Sequence, residues 1–253
     1  MIKLENYEVL GWEHAIRGMR NPMNSWEKSD TTDGCINGLC GSCGFNINWC
    51  GCTPRLIIGS NDHDLMMRLA GAGPVHGKFR RMITVYVDIT APLYWWKEFD
   101  TYKVGTVANS CSTMHKLPDK EFELSDFSHE HLRSGLPGKD GNGITVVLPG
   151  ASENFENTLI VLNRLRDIYL YGFEGTNGWH QKIEPKSKDI WYQMIQLLPS
   201  SYNQKRTVQL NYEVLANMYE YRKAHKLDEW REFCKWIETL PYSEIITGGK
   251  SDD

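Results

Sequence analysis

Hydrophobic residues recur along the chain at the spacings of strands and helices. Residues 7–20 predict a strand that runs into a short helix, and residues 82–90 alternate β-branched and polar positions as a strand does. Two shorter extended stretches are predicted at 144–148 and 207–210. Apolar residues at helical spacing predict helices over 61–71, 93–101, 152–171, 187–198, 212–225 and 228–240.

Local signals refine the ends of these elements. Asn61 and Asp62 are residue types that cap the free N–H groups at a helix start, and Gly71 is suited to end the same helix. Residues 103–116 show no clear period, and residues 135–143 are rich in glycine. We therefore interpret both of these segments as irregular loops.

Strands and long helices in this irregular order favour an α/β or α+β fold, predicted as one domain over residues 1–253. The chain has 253 residues, of which 41% are hydrophobic, which suffices for a core without disulfide or metal support. Neither a Gly-x-Gly-x-x-Gly nor a P-loop motif occurs, so the standard nucleotide-binding loops are absent from the sequence.

The charge balance narrows the set of partners. The chain has 28 Lys+Arg and 32 Asp+Glu, a net charge of −4, which makes general nucleic-acid binding unlikely as a function. No apolar run is long enough to cross a bilayer, and the N-terminus has no signal-peptide pattern. We therefore expect a cytoplasmic protein with no membrane partner.

Five of the seven cysteines cluster in residues 30–58, which we interpret as a Cys-rich insertion within the domain. The candidate metal ligands are Cys35, Cys40, Cys43, Cys50 and Cys52. Cytosolic thiols stay reduced, so a structural zinc site is more plausible here than a disulfide framework. An iron–sulfur cluster and a loop of free thiols are the two alternatives.

Two segments carry a family resemblance. The first contains His76-Gly77-Lys78-Phe79, a strand to Thr90, Ala91-Pro92-Leu93-Tyr94 and Thr101-Tyr102-Lys103, followed by Thr106, Cys111 and Thr113. The second contains Leu198-Pro199, Lys205-Arg206, Asn211, Asn217 and Arg222. In this order and spacing, the two segments resemble the core of the flavin-dependent thymidylate synthases.

That resemblance implies a fold with a mixed or antiparallel sheet and long helices. It also implies an enzyme that transfers a one-carbon unit to C5 of a dUMP-like pyrimidine nucleotide, with FAD as cofactor. NADPH and methylenetetrahydrofolate would be its co-substrates, and the assembly would be a homotetramer.

The resemblance also implies roles for individual residues. The residues expected to bind flavin are His76, Lys103, Asn211 and Asn217. The residues expected to bind the nucleotide are Lys205, Arg222, Thr113 and His115, where His115 would replace a missing phosphate arginine. Arg222 and Cys111 are the candidate catalytic residues, and Cys111 is interpreted either as an activated nucleophile or as a small buried residue.

Three positions depart from the family pattern. Thr101, Tyr102 and Thr113 stand where the family has arginine, histidine and arginine, so Lys103 is the remaining cation of the loop triplet. Lysine does not offer phosphate the bidentate fork of arginine. The alternative function is therefore a nucleotide- or nucleic-acid-binding protein of the same fold that has lost the chemistry and keeps a structural metal.

Overall fold

A computed structural model of the chain describes residues 2–35, 54–175 and 182–248. Its helices and strands are interspersed along the chain. The helices are α1 (Trp12–Arg20), α2 (Ser60–Gly71), α3 (Leu93–Phe99), α4 (Ala151–Tyr171), α5 (Lys188–Leu197), α6 (Tyr212–Arg222), α7 (Asp228–Glu238) and α8 (Glu244–Thr247). These bounds confirm the six predicted helices to within a few residues, and α8 was not predicted.

The strands form one larger sheet and three small hairpins. The strands are β1 (Lys3–Leu10), β2 (Thr32–Cys35), β3 (Pro54–Ile57), β4 (Thr84–Pro92), β5 (Val107–Ser110), β6 (Leu136–Lys139), β7 (Thr145–Leu148), β8 (Phe173–Glu174), β9 (Lys182–Ile183) and β10 (Asn203–Asn211). The larger sheet has the order β1-β4-β10-β5. The pairs β2–β3, β6–β7 and β8–β9 are antiparallel, and together these elements confirm the predicted α/β class.

The chain divides into two compact units, each assembled from separate segments. Unit 1 comprises Met1–Lys3, Ile89–Thr101 and Asn109–Arg206. Unit 2 comprises Leu4–Asp88, Tyr102–Ala108 and Thr207–Asp253. The single domain expected from the sequence stays a prediction.

Each unit has its own apolar core. In unit 1, α4 packs against α5, and the cluster consists of Leu117, Phe122, Phe127, Leu162 and Met194. In unit 2, α6 packs against α7 and α8. The buried side chains of these three helices include Leu215, Met218, Trp230, Phe233 and Ile245. Positions 215 and 218 therefore face the core, as their helical spacing predicts.

Two predicted loops contain strands. Residues 107–110 form β5, whose four residues are all exposed. Residues 136–139 form β6, which pairs with β7 in the register Leu136↔Leu148 to Lys139↔Thr145. Neither strand has a buried face, so its stability comes from backbone pairing, and hydrophobic alternation is absent from its sequence.

The N-terminus of α2 is capped differently from the prediction. The carboxylate of Asp30 accepts hydrogen bonds from the backbone N–H groups of Asn61 (2.9 Å) and Asp62 (3.1 Å), so the cap comes from a residue outside the helix. Asp62 instead lies fully buried and accepts hydrogen bonds from Ser29 (2.7 Å) and Thr31 (2.7 Å). The two aspartates thus tie the segment before β2 to the start of α2.

The predicted metal ligands lie mostly outside the described residues. Cys40, Cys43, Cys50 and Cys52 fall outside them, and Cys35 ends β2 with Pro54 as its Cα partner. Among the described residues, no group of three or more His, Cys, Asp or Glu side chains is arranged to hold a metal ion. The zinc site and its alternatives stay predictions. Within the same residues, the helices are too short or too polar for any of them to span a membrane.

Candidate functional site

Arg222, the last residue of α6, lies beside two aromatic rings of unit 2 that contact each other. Its Nε donates a hydrogen bond to the hydroxyl of Tyr102 at 2.9 Å. Its guanidinium carbon lies 4.8 Å from the ring centroid of Trp230 and 5.5 Å from that of Tyr102. The half-buried arginine thus makes a hydrogen bond to Tyr102 and cation–π contacts with both rings. It does not extend into solvent, which is the default for an arginine at a helix end.

The loop that carries Tyr102 packs against the beginning of the same helix. Gly105 has φ +79°, and a Cβ there would lie 3.0 Å from Nδ2 of Asn211 and 3.1 Å from Cγ2 of Val214. The hydroxyl of Thr106 donates to the carbonyl of Tyr102 and closes the loop on itself. Loop 102–106 is therefore tied to α6 near both ends of the helix.

Asn211 has a defined local role. Its Oδ1 accepts a hydrogen bond from the backbone N–H of Val214 at 3.0 Å, so it is the N-cap of α6. This role satisfies one of the four N–H groups that a helix start leaves unpaired. The predicted flavin contact of Asn211 would have to use the rest of the amide.

The other flavin-binding candidates of unit 2 are exposed. His76 precedes a 3-10 helix over Gly77–Met82, Lys103 lies in the loop after Tyr102, and Asn217 lies on the outer face of α6. Each can therefore meet a molecule that approaches from solvent. Lys103 contributes a cation, and His76 and Asn217 contribute hydrogen-bonding groups.

Unit 1 holds the remaining predicted site residues. Cys111 directly follows β5, its backbone N–H donates to the carbonyl of Lys205 at 2.9 Å, and its carbonyl accepts from Nε2 of Gln204 at 2.9 Å. The Cys111 thiol is exposed, so the interpretation of this residue as a small buried side chain is wrong. Cys234 in α7 is the buried cysteine.

Thr113 and His115 lie in the turn after Cys111. Thr113 is half-buried and His115 is exposed. The Oγ of Ser112 accepts hydrogen bonds from the backbone N–H groups of Met114 (3.3 Å) and His115 (3.1 Å), which fixes the backbone of this turn. The nucleotide contacts of Thr113 and His115 stay predictions.

Arg206, next to the predicted phosphate ligand Lys205, is committed to another contact. Its guanidinium carbon lies 4.1 Å from the ring centroid of Trp96, and its Nη1 donates to Oδ1 of Asp100 at 2.8 Å. The positive charge of Arg206 is thereby compensated within unit 1. The predicted role of the neighbouring Lys205 in binding the nucleotide stays a prediction.

A cavity of about 920 Å³ opens on unit 2 beside α1. Arg17, Arg20 and Trp26 contribute to its wall, and none of the predicted site residues within the described chain lines it. Arg20 is already paired with buried Asp62, so the cavity offers an anion less attraction than two arginines suggest. The predicted chemistry is therefore not assigned to this cavity.

Comparison with known proteins rests on structure, because no protein-family model and no curated protein matches the sequence. A crystal structure of the flavin-dependent thymidylate synthase ThyX from Helicobacter pylori, complexed with FAD and dUMP, matches 98% of this chain and 97% of its own. The identity is 15% and the TM-score 0.56. The UMP/dUMP methylase PolB from Streptomyces cacaoi, bound with 5-Br dUMP, matches 97% and 94% of the two chains at 13% identity and TM-score 0.54.

The chain has the flavin-dependent thymidylate synthase fold. The resemblance in residues 76–114 and 198–230 is thereby confirmed for the fold, over nearly the whole length of both chains. At this level of identity, residue roles do not follow from the match alone.

The exposed candidate residues of unit 2 have side chains whose chemistry suits a flavin. FAD carries a negatively charged diphosphate and a ring edge with several hydrogen-bonding atoms. The exposed side chains of Lys103, His76 and Asn217 match those two properties. Lys103 supplies the cation of this set. Tyr102 is not part of the set, because its hydroxyl accepts a hydrogen bond from Arg222.

Sequence reasoning did not identify the aromatic partners of Arg222. Tyr102 was recognised as a departure from the family triplet, and Trp230 lies in the helix predicted over 228–240. Along the sequence, Tyr102 lies 120 residues and Trp230 lies 8 residues from Arg222. The one hint in the sequence was that both residues are aromatic, since arginine stacks readily on aromatic rings.

Proposed function

We propose that this protein is an FAD-dependent enzyme that transfers a one-carbon unit to C5 of a pyrimidine nucleotide such as dUMP. The observation that carries this proposal is the match of the whole chain to two proteins, one complexed with FAD and dUMP and one described as a UMP/dUMP methylase. The exposed donors of unit 2 add independent support, because they are suited to anionic, hydrogen-bonding ligands.

Arg222 is proposed to bind the nucleotide phosphate. Arginine presents several N–H donors in a planar fork that matches phosphate geometry. Ion pairs with phosphate gain strength where water is partly excluded, and Arg222 is half-buried. Lys103, His76 and Asn217, each of which is exposed in unit 2, are proposed to bind FAD.

FAD, when bound, supplies hydride chemistry that amino-acid side chains lack. NADPH and methylenetetrahydrofolate are the proposed co-substrates, by resemblance. Four further residues with proposed roles lie in unit 1: Lys205, Thr113, His115 and Cys111. Substituting each of them in turn tests its role. The homotetramer likewise stays a prediction.

The test combines spectroscopy with nucleotide titration. Purified protein, or protein incubated with FAD, is expected to show the visible absorption of bound flavin after gel filtration. It is also expected to bind dUMP and to convert it to a C5-methylated product when methylenetetrahydrofolate and NADPH are supplied. Protein that retains no flavin and binds neither dUMP nor UMP would refute the proposal.

Arg222→Ala tests the phosphate role. Loss of a charge-assisted contact of ~1.5–3 kcal/mol predicts dUMP binding weaker by roughly 10- to 100-fold. Arg164→Ala is the matched control, because Arg164 is an exposed arginine on α4 of unit 1. It is expected to bind dUMP like the wild type.

A second candidate function is nucleotide binding without turnover. It is favoured by the contacts of two substituted triplet positions. Thr101 donates its hydroxyl to the carbonyl of Glu98 at 2.7 Å, and Tyr102 is engaged with Arg222. Protein that binds dUMP but retains no flavin and forms no methylated product would favour this function over the enzyme.

A further inference from the structure

Arg80 is a buried arginine in the 3-10 helix that follows His76. It is 8% exposed, and its Nε and Nη2 both lie 2.7 Å from Oε2 of Glu213. Its Nη1 donates a hydrogen bond to the backbone carbonyl of Ile245 at 3.0 Å. The charge of Arg80 is therefore compensated inside the protein, and the residue joins separate segments of unit 2.

The guanidinium of Arg80 also lies against the backbone of Gly77. A Cβ added to residue 77 would lie 3.0 Å from Nη2, 3.3 Å from Cζ and 3.4 Å from Nε of Arg80. Because these three distances are similar, the face of the guanidinium is turned towards residue 77. Any side chain there would press on an arginine that two other groups already fix, so glycine permits the close approach.

Gly77 is the buried end of the turn that carries His76. The backbone N–H groups of His76 and Gly77 both donate to the carbonyl of Gly73, at 3.1 and 2.9 Å, which closes the turn locally. Residues 74–76 are exposed, whereas Gly77 is buried. The contact between Gly77 and Arg80 therefore attaches the turn to the interior of unit 2.

The groups that hold Arg80 belong to helices that are fixed by buried side chains. Glu213 lies in the first turn of α6, two residues after the N-cap Asn211, and Leu215 of the same helix is 0% exposed. Ile245 of α8 is also 0% exposed. Arg80 thus ties the turn that carries His76 to two helices that are anchored independently of it.

The geometry points to Arg80 as a positioning residue that fixes His76 relative to α6 for the binding of FAD. This inference rests on the proposed function, in which His76 and Asn217 of α6 bind the flavin. A site built on two separate segments binds more tightly when their spacing is set beforehand, because the ligand does not have to order them. Arg80 acts through His76 and is not itself a ligand of FAD.

Arg80→Lys tests this role because it keeps the positive charge beside Glu213 but loses the planar group with several donors. The dissociation constant for FAD is measured by titration of flavin fluorescence. It is expected to rise about three- to fivefold, and no more than in His76→Ala, since the effect acts through His76. In His76→Ala, the additional change Arg80→Lys is expected to have no further effect.

Two further variants make the result specific. Gly77→Ala disturbs the same contact from the other side, because the added methyl presses on the guanidinium, and it is expected to weaken FAD binding by a similar factor. Arg20→Lys is the matched control, because Arg20 is another buried arginine of unit 2 that pairs with a carboxylate. It is expected to lower stability in urea but to keep the wild-type dissociation constant for FAD.

A second measurement requires no flavin. Hydrogen exchange followed by mass spectrometry reports on the backbone N–H groups of His76 and Gly77, which close the turn. Exchange there is expected to be faster in Arg80→Lys and Gly77→Ala than in the wild type, and unchanged in Arg20→Lys. Exchange at the wild-type rate in both test variants would show that Arg80 does not hold the turn, and would rule the inference out.

Wild-type FAD affinity in Arg80→Lys, or in Gly77→Ala if Arg80→Lys does not fold, would overturn this inference and leave the proposed function intact. An equal loss of FAD affinity in Arg20→Lys would overturn it too, because that result indicates a general effect of destabilisation. A further loss when Arg80→Lys is added to His76→Ala would have the same meaning. Wild-type protein that binds no FAD would refute the proposed function, and this inference with it.

Discussion

Asp62 and Arg20 form a buried ion pair in unit 2, with 2.6 Å between Oδ1 of the aspartate and Nε of the arginine. The other carboxylate oxygen accepts hydrogen bonds from the hydroxyls of Ser29 and Thr31 at 2.7 Å each. The backbone N–H groups of Asp30 and Thr31 also donate to this oxygen. One carboxylate thus organises the segment before β2, the end of α1 and the first turn of α2.

Asp62→Asn should destabilise the protein strongly. The substitution leaves the Arg20 charge buried without its partner, which typically costs about 3–5 kcal/mol. Urea denaturation followed by circular dichroism measures the free energy of unfolding. Asp64→Asn, two residues along α2 and exposed, is the control and should change it by less than about 0.5 kcal/mol. Similar values for both variants would contradict the role of Asp62.

The same carboxylate predicts a pH dependence of stability. Burial by itself raises the pKa of Asp62, but the hydrogen bonds from Ser29 and Thr31 and the pairing with Arg20 lower it below the ordinary 3.8. The stability gained from the ionised group is therefore fully present above about pH 5, and it is lost as the pH falls through the lowered pKa.

The difference in unfolding free energy between the wild type and Asp62→Asn should accordingly stay constant from pH 7 to 5. Below pH 4 it should narrow. Denaturation curves recorded in steps of half a pH unit measure this difference. A difference that grows on acidification would show that the sign of the pKa shift is wrong.

Gly105→Ala should disturb the loop that carries Tyr102. The φ of +79° disfavours a side chain, and the added Cβ would press on Asn211 and Val214 of α6. We expect a loss of about 1–2 kcal/mol in unfolding free energy. Gly71→Ala is the control, since a Cβ there meets nothing within 4 Å, and it should be neutral or slightly stabilising. Equal stability of the two variants would argue against a tight contact between loop 102–106 and α6.

The two described free thiols should differ in reactivity. Cys111 is exposed, whereas Cys234 is buried, and burial raises the pKa of the Cys234 thiol to about 12. Because the thiolate is the reactive form, iodoacetamide at pH 8 should alkylate Cys111 and leave Cys234 unmodified until denaturant is added. Peptide mapping by mass spectrometry reads each site separately. Alkylation of Cys234 in the native protein at a comparable rate would show that α7 opens.

Arg206→Lys should cost stability without affecting nucleotide binding. Lysine keeps the charge near Asp100 but cannot stack a planar group on Trp96 or bond to Gln204 at the same time. We expect a loss of about 1–2 kcal/mol in thermal or urea unfolding. The dissociation constant for dUMP should match that of the wild type. A weaker dUMP affinity would place Arg206 among the ligand-binding residues.

Residues with a buried face were predictable from the sequence. The strand β4 and the helices α4, α6 and α7 follow from apolar spacing, because each element must bury one face in a core. The N-cap role of Asn211 follows equally, since residue type and position suffice to identify a cap. Of these elements, β4 and α6 lie in the segments that carried the family resemblance, so the sequence sufficed to predict the fold.

Contacts between distant residues were not predictable. The strand β5 consists of Val107, Ala108, Asn109 and Ser110, all exposed, and its pairing partner lies about 100 residues away. Asp62 looked like a cap because it stands near a helix start, but Asp30 performs that role from another segment. The contacts of Arg222 with Tyr102 and Trp230 depend on tertiary packing in the same way. Local pattern does not encode which remote side chain completes such a contact.

The pairing of β2 with β3 has a consequence for engineering the chain. Cys35 and Pro54 are Cα partners in antiparallel register, so positions 35 and 54 are held side by side. The entropy of closing a chain between two such fixed ends grows only with the logarithm of its length. Inserting further residues between these two positions should therefore cost little in closure entropy.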